Sequence, residues 1–156
     1  MSERASRASI EELIYRSALC LDERDFEGFL ALCAPTFRYT IEAHSPELRR
    51  DMIWLDHDKA GIEALFRTLP KHNSDHALLS RHVTVYTTSA ADADGASSVV
   101  SALQVFRTDL DGGATALFAV GKLHDDVRFE NGRAWLVRRR VRLDTRMLGI
   151  GSHIPF

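Results

Sequence analysis

The stretch ATALFAVGKLHDDVRFENGRAWLVRRRVRLDT, residues 114–145, decides the fold class. On both sides of Glu130-Asn131-Gly132, apolar residues alternate with polar ones, which is typical of β-strands with one buried face. The Asn-Gly pair supplies the positive φ angles that a tight hairpin turn requires. We therefore predict two antiparallel strands, over about 114–129 and 133–145.

The residues before this stretch extend the sheet. Two more strands are predicted over about 81–89 and 97–109, joined by the looser, Ala/Asp-rich segment 90–96. Asp111-Gly112-Gly113 provides the tight turn into the next strand. Gly121 lies in the middle of a strand that is too long to run flat, where a missing side chain permits a bulge or bend. We expect a meander of strands that curls.

Helical patterns occupy the first part of the chain. Ser9 and Glu12 have the spacing of a capping box, and the apolar residues that follow recur at helical spacing, which predicts a helix over about 9–23. Asp25 caps a second helix, which ends before Pro35.

A third helix follows a short strand. Residues 37–41 alternate between apolar and polar and predict the strand, whereas residues 43–57 have no clear period. The third helix begins at Asp58 and is closed by Pro70. Three helices followed by a long, bent antiparallel sheet form an α+β arrangement in which the sheet wraps partly around the helices.

The composition is that of an ordinary globular protein. The chain has 156 residues, 45% apolar and 27% charged, and fits a single domain over 1–156. Its formal net charge of −2 lacks the basic excess that nucleic acid requires. No apolar run approaches ~18 residues and MSERASRAS contains no apolar signal segment, so we expect a cytoplasmic protein without a membrane partner. Cys20 and Cys33 both fall in helical segments and are interpreted as buried hydrophobes without a disulfide.

Tyr15, Asp22 and His82 are candidates for chemistry. Tyr15 and Asp22 lie seven residues apart on the first helix, so they differ by only about 20° around its axis. His82 begins the first long strand and shares a face with Thr84 and Tyr86. In an apolar cup the three candidates could act as general acid and base. The alternative, which we expect, is a structural polar cluster in which a helix end or an arginine holds Asp22.

Four residues from the end of the third helix to the start of the first long strand raise the question of a metal: His72, Asp75, His76 and His82. Two histidines and a carboxylate could hold non-haem iron. However, His72 and His76 follow Pro70 into a predicted loop, without the helical context of a zinc motif. We expect solvated or interface histidines and no metal. The Cys-x-His…Cys-x-x-His pattern of a Rieske cluster is absent from the sequence.

Arg139 interrupts an apolar face. Trp135, Val137, Val141 and Leu143 are predicted to define that face, with the neighbouring arginines on the other. An unpaired buried guanidinium is very costly, so Arg139 either pairs with a carboxylate beneath the sheet or points across a subunit boundary. A strand bulge that returns it to solvent is the remaining alternative.

The last ten residues, MLGIGSHIPF, are mostly apolar, although chain ends are usually polar and frayed. Such a segment gains by docking, either onto another subunit or back onto its own domain. Together with Arg139, the candidate interface residues are Met147, Leu148, Ile150, Ile154 and Phe156.

Three segments carry a family resemblance: LIYRSALCLDERDFEGFLALCAPTFRYTI (13–41), LSRHVTVY (79–86) and RRRVRLDTRMLGIGSHIPF (138–156). Their order and spacing resemble the beta (small) subunits of Rieske-type aromatic-ring-hydroxylating dioxygenases. DMIWLDHDKAG (51–61) and LPKHNSDHALLSRHVTVY (69–86) are similar to the small hydroxylase subunit of methanesulfonate monooxygenases. The resemblance implies the cone-shaped nuclear-transport-factor-2-like (SnoaL-like) fold, with three helices in a curved antiparallel sheet.

The same resemblance implies a structural subunit without a cofactor of its own. The expected partner is a catalytic alpha subunit that holds a Rieske 2Fe-2S cluster and a mononuclear iron, in a complex of three alpha and three beta subunits. A homo-trimer is one assembly that the chain could form alone.

A rival resemblance involves Tyr15, Asp22 and His82. The three resemble the polar sites of cone-fold dehydratases and isomerases such as scytalone dehydratases and polyketide cyclases. That resemblance implies a free-standing lyase or isomerase, with His82 as base, Asp22 as its orienter and Tyr15 as a polarising donor. A ligand-binding cone domain without catalysis is the third interpretation.

Overall fold

A computed structural model of the chain describes residues 6–72, 76–147 and 156. In these ranges three helices pack on one six-stranded sheet, which confirms the predicted α+β class. The helices are α1 (Arg7–Asp22), α2 (Phe26–Leu32) and α3 (Lys59–His72). The strands are β1 (Cys33–Ser45), β2 (Arg50–Asp58), β3 (Leu78–Thr88), β4 (Ala96–Thr108), β5 (Thr115–Glu130) and β6 (Arg133–Leu143). No helix in the described ranges has the length and apolarity to cross a membrane.

The sheet has the order β2-β1-β6-β5-β4-β3. Strands β3 to β6 form the predicted antiparallel meander, and Asn131 and Gly132 have the expected positive φ angles at the β5–β6 turn. The first strand, β1, lies beside the last, β6, and runs parallel to it. Strand β2 pairs antiparallel with β1. Strands β2 and β3 are therefore the two edges of the sheet.

Strand β2 is an element that the sequence pattern did not predict. All of it except Asp58 falls within residues 43–57, and a register shift opposite Ile41 and Glu42 leaves Trp54 as an extra residue. A bulge of this kind interrupts the alternation of side chains, which is why no period was visible. Strand β1 is also longer than the short strand that we predicted over 37–41.

Two helix ends differ from the prediction. The N-cap of α1 is Ser6 and not Ser9, because the Ser6 side chain accepts a hydrogen bond from the Ser9 N–H at 3.1 Å. Helix α3 continues through Pro70, since the φ angle to which proline is restricted is itself helical. Asp25 caps α2 as predicted.

The sheet curls at β5, as predicted. A register shift with β4 leaves Phe118 as an extra residue just before Gly121. A Cβ atom at Gly121 would lie 2.2 Å from the carbonyl oxygen of Arg142, so only glycine permits this close approach of the backbones. Around the enclosed core, the largest fully buried apolar side chains are Tyr39, Phe29, Phe37, Phe156, Ile10, Ile14, Leu21 and Ile62.

Candidate functional site

A buried ion pair lies inside the fold. The Arg139 guanidinium donates to both carboxylate oxygens of Asp125, at 2.8 and 3.1 Å, and to the Ser17 hydroxyl at 2.9 Å. The side chains of Arg139 and Asp125 are 1% and 0% exposed. Burial is the largest influence on the pKa of Arg139 and would lower it, but Asp125, with smaller contributions from Tyr39 and Cys33, opposes burial and the pKa is raised. The guanidinium therefore remains charged, neutralised by a partner in its own chain.

A bulge sets the face on which Arg139 lies. The register of β6 with β5 shifts at Val137, which is an extra residue. On the N-terminal side of the bulge, Leu136 is the fully buried residue, whereas Trp135 and Val137 are only partly buried, which corrects the predicted face. The bulge thus places Arg139 inside the fold, opposite Asp125, and does not return it to solvent. Arg139 contacts its own chain there and is not part of a surface open to a partner.

Asp125 was missed as the partner of Arg139, although the sequence carried a signal for it. Asp125 alternates with Leu123 and Val127, which are both buried, so it is a single carboxylate on an apolar strand face. An unpaired carboxylate at such a position is costly. The pattern could therefore have indicated that Asp125 pairs with a buried cation.

The second interior contact joins Tyr39 to Phe156. The Tyr39 hydroxyl accepts from the Phe156 N–H at 2.6 Å and donates to the Phe156 carbonyl at 3.0 Å. The Phe156 ring is buried and lies 6.3 Å, centroid to centroid, from the ring of Phe118. Burial raises the pKa of Tyr39, so its hydroxyl remains protonated. Together these side chains fill part of the cone interior.

The apolar tail therefore has one residue whose docking the structure describes. Phe156 packs onto its own cone, whereas Met147 is 89% exposed. Leu148, Ile150 and Ile154, the other interface candidates of the tail, lie outside the described residues.

Tyr15 and Asp22 both contact the backbone of β3. Both Asp22 carboxylate oxygens accept from the Arg81 N–H, at 3.0 and 3.2 Å, and Oδ1 also accepts from the Arg81 guanidinium at 2.8 Å. The Tyr15 hydroxyl accepts from the Val85 N–H at 3.2 Å. Burial lowers the pKa of Arg81, and Asp22 opposes that effect. An arginine, Arg81, thus holds Asp22. Alternation along β3 could have identified Arg81: it precedes His82, which faces outward, so its own side chain faces inward.

His82 lies on the exposed face of β3, opposite to the face that carries Arg81. Its ring is exposed and contacts the edge of Phe106, with ring centroids 4.9 Å apart. Tyr15, Asp22 and His82 line one open groove of about 700 Å³, so the structure brings the three candidates to the same surface. The Asp22 carboxylate is directed to Arg81, which is not the arrangement of an imidazole oriented by an aspartate.

The described residues contain no group of three His, Cys, Asp or Glu side chains close enough to hold a metal ion. Asp75 and the side chain of His72, which belong to the histidine group considered above, lie outside the described residues. The structure therefore does not show whether His72, Asp75, His76 and His82 lie close together.

Cys20 and Cys33 are buried free thiols. Cys33 is the first residue of β1 and not part of a helix, which corrects the prediction. Burial raises the pKa of the Cys33 thiol to about 12 and also raises that of Cys20. Both thiols are protonated at neutral pH and pack as small hydrophobes.

The outer face of the sheet is highly charged. Glu42 accepts from Arg142 at 2.7 Å and lies 3.4 Å from Arg140, while Arg38 donates to Asp56 at 2.8 Å. These pairs cross from β6 to β1 and from β1 to β2. The arginines next to Arg139 in sequence thus point outward, as predicted.

The comparisons with known proteins agree with this architecture. Residues 2–141 match the family model of the SnoaL-like domain. The chain belongs to the SnoaL-like family. Among solved structures, this SnoaL-like chain superposes with a TM-score of 0.82, at 19% identity and over 96% of both chains, on a beta subunit assigned to an aromatic-ring-hydroxylating dioxygenase of Novosphingobium aromaticivorans.

Two relatives of this SnoaL-like chain are oxygenase beta subunits. It is 44% identical over 154 residues to the methanesulfonate monooxygenase hydroxylase subunit beta of Methylosulfonomonas methylovora, covering 94% of this chain and 85% of the relative. It is 33% identical over 147 residues to the 2-aminobenzenesulfonate 2,3-dioxygenase subunit beta of an Alcaligenes species, covering 94% and 97%. The predicted resemblance to oxygenase beta subunits is confirmed.

Proposed function

We propose that this SnoaL-like chain is the small (beta) subunit of a Rieske-type oxygenase and supports a catalytic alpha subunit. The observation that carries the proposal is the 44% identity to a hydroxylase beta subunit over 94% of the chain. In this proposal the alpha subunit holds the 2Fe-2S cluster and the mononuclear iron, and the beta chain has no cofactor. Three alpha and three beta subunits in the cytoplasm are the assembly that we propose.

The interior of the cone supports a non-catalytic role. Arg139 is bonded to Asp125, and the Tyr39 hydroxyl bonds both backbone groups of Phe156. These groups satisfy one another, so they are not directed at an empty cup. A substrate that entered would have to break a buried ion pair or displace a buried phenylalanine, and both changes are costly.

The rival proposal, a free-standing lyase or isomerase, needs a different arrangement at the groove. It requires Asp22 to orient His82 and Tyr15 to donate to a substrate. Instead, Asp22 accepts from Arg81 and the Tyr15 hydroxyl accepts from the Val85 N–H. These contacts favour the subunit proposal.

We further propose that the complex acts on an organosulfonate. Both relatives described above are named for oxygenases of sulfonates, one alkyl and one aromatic. Oxygenation at the carbon that bears the sulfonate consumes O₂, two electrons and two protons. One oxygen atom becomes a hydroxyl on that carbon. The other leaves as water in a monooxygenation, or becomes a hydroxyl on the neighbouring ring carbon in a dioxygenation. Loss of sulfite then releases a carbonyl compound or a catechol, respectively. Sulfite release that depends on O₂ and on an electron donor is therefore the expected activity of the whole complex.

An affinity purification of the tagged chain from its native cells tests the proposal. We expect a brown complex that contains iron, a larger chain and the absorption spectrum of a Rieske cluster, and that releases sulfite from a sulfonate. The matched control is the same purification from cells that express the untagged chain. A colourless assembly of this chain alone, from cells that metabolise the sulfonate, would contradict the proposal.

A further inference from the structure

Strand β3 is an edge strand whose own side chains give it little protection. Its segment His82–Thr88, HVTVYTT, contains no Asp, Glu, Lys or Arg, and no Pro or Gly. Exposed edges with this composition readily pair with strands of other chains. Both edge strands have a bulge, at Trp54 in β2 and at Tyr86 in β3, but β2 also carries charged residues at both ends, and these charges further hinder strand addition.

Helix α1 holds the β3 edge at two points. Arg81 and Val85 are four residues apart on β3, and their N–H groups bond to α1 side chains. The Arg81 N–H donates to Asp22, and the Val85 N–H donates to the Tyr15 hydroxyl. On α1 the two side chains are about 10 Å apart along the axis. On β3 the two amides are about 13 Å apart, so the contacts fix the helix alongside the strand. We call these two side chains and their bonds the α1 clasp.

We infer that the α1 clasp closes the β3 edge to strand addition by a second copy of this chain. An added strand would need the outward N–H groups of β3, and the clasp already occupies those of Arg81 and Val85. The identity of the occupant follows from the strand itself, since an uncharged β-branched edge pairs well with another copy of the same edge. With the clasp closed, the chain associates through its other surfaces. With the clasp open, β3 of one copy pairs with β3 of the next.

The test uses the full chain with the double change Tyr15→Phe and Asp22→Ala, which removes both acceptors of the clasp. The matched control is Tyr86→Phe with Glu23→Ala, which makes the same kinds of change at an exposed tyrosine of β3 and at an exposed carboxylate beside Asp22. Hydrogen exchange of the β3 amides and molar mass by light scattering over a range of concentrations are measured for both variants.

We expect the amides of Arg81 and Val85 to exchange at least about tenfold faster in the clasp variant than in the control. We also expect the molar mass of the clasp variant alone to rise with concentration. Unchanged exchange would overturn the inference, as would faster exchange with a molar mass equal to that of the control at every concentration.

A second variant keeps the inference testable if the double variant does not fold. Tyr15→Phe alone removes one hydroxyl and leaves the Asp22 contact with Arg81 in place. Faster exchange confined to Val85, together with association at higher concentration than the control, is the expected result. Equal behaviour of Tyr15→Phe and Tyr86→Phe would refute the clasp.

Discussion

Arg139 and Asp125 form a bidentate ion pair inside the fold, and Ser17 accepts the remaining described hydrogen bond of the guanidinium. The pair joins the last two strands of the sheet to α1. The interior of the fold thus contains a charged pair that is satisfied by the chain itself. This relationship supports a structural subunit and leads to a prediction about stability.

Asp125→Asn should lower the free energy of unfolding by about 3–5 kcal/mol, because it leaves the Arg139 charge buried without its counter-charge. The double change Arg139→Met with Asp125→Leu should cost clearly less, since it removes both charges together. Urea denaturation measures each value. Asp56→Asn, which breaks the exposed pair with Arg38, is the control and should have a small effect. Equal effects of Asp125→Asn and Asp56→Asn on the free energy of unfolding would contradict the prediction.

Tyr39→Phe should lower the free energy of unfolding by about 1–3 kcal/mol, because it leaves the buried N–H and carbonyl groups of Phe156 without their partner. Amide exchange at Phe156 should become faster in the same variant. Tyr86→Phe is the matched control, since Tyr86 is 55% exposed. A Phe156 amide that remains as protected as in the wild type would show that the hydroxyl does not hold this residue.

His82→Ala separates the subunit proposal from the lyase alternative. In the assembled oxygenase the subunit proposal gives His82 no catalytic role, so we expect turnover within a few-fold of the wild type; the exposed His82 ring contacts Phe106. A catalytic base typically contributes ~10²–10⁴-fold, so a loss of that size with the assembly intact would refute the structural role. Size-exclusion chromatography with iron analysis verifies that the assembly is unchanged.

His124 should make stability depend on pH. Partial burial, and then Arg140 and Arg142, lower the pKa of His124 in the folded chain from the ordinary value of 6.5. Below pH 6.5 the unfolded chain therefore binds a proton that the folded chain resists. Stability should fall as the pH falls from 6.5 through the folded-state pKa.

The difference in melting temperature between the wild type and His124→Asn, measured from pH 8 to pH 5, tests this prediction. The other titrating groups are common to both proteins and cancel in the difference. We expect the wild type to lose stability relative to the variant as the pH falls. A constant difference over this range would show that His124 is not the responsible group.

Local sequence signals accounted for most of the fold. Alternation predicted β3 to β6, and Asn131-Gly132 predicted the last turn. They did not predict β2, because the bulge at Trp54 removes the period on which such a prediction rests. In the groove, they selected Tyr15, Asp22 and His82 but missed Arg81, which binds Asp22 across 59 positions of the chain.

The sequence by itself determined the α+β class, the positions of the turns that join β3 to β6, and the need of Arg139 for a partner. Only the tertiary structure decided which partner that is. Counted from the turn at Asn131-Gly132, Arg138 would lie opposite Asp125; the bulge at Val137 shifts the register by one residue and puts Arg139 there. A shift of one residue exchanges the two faces of a strand, and a bulge depends on packing against neighbouring elements. The contact of Tyr39 with Phe156, 117 positions apart, likewise depends on how the whole chain closes.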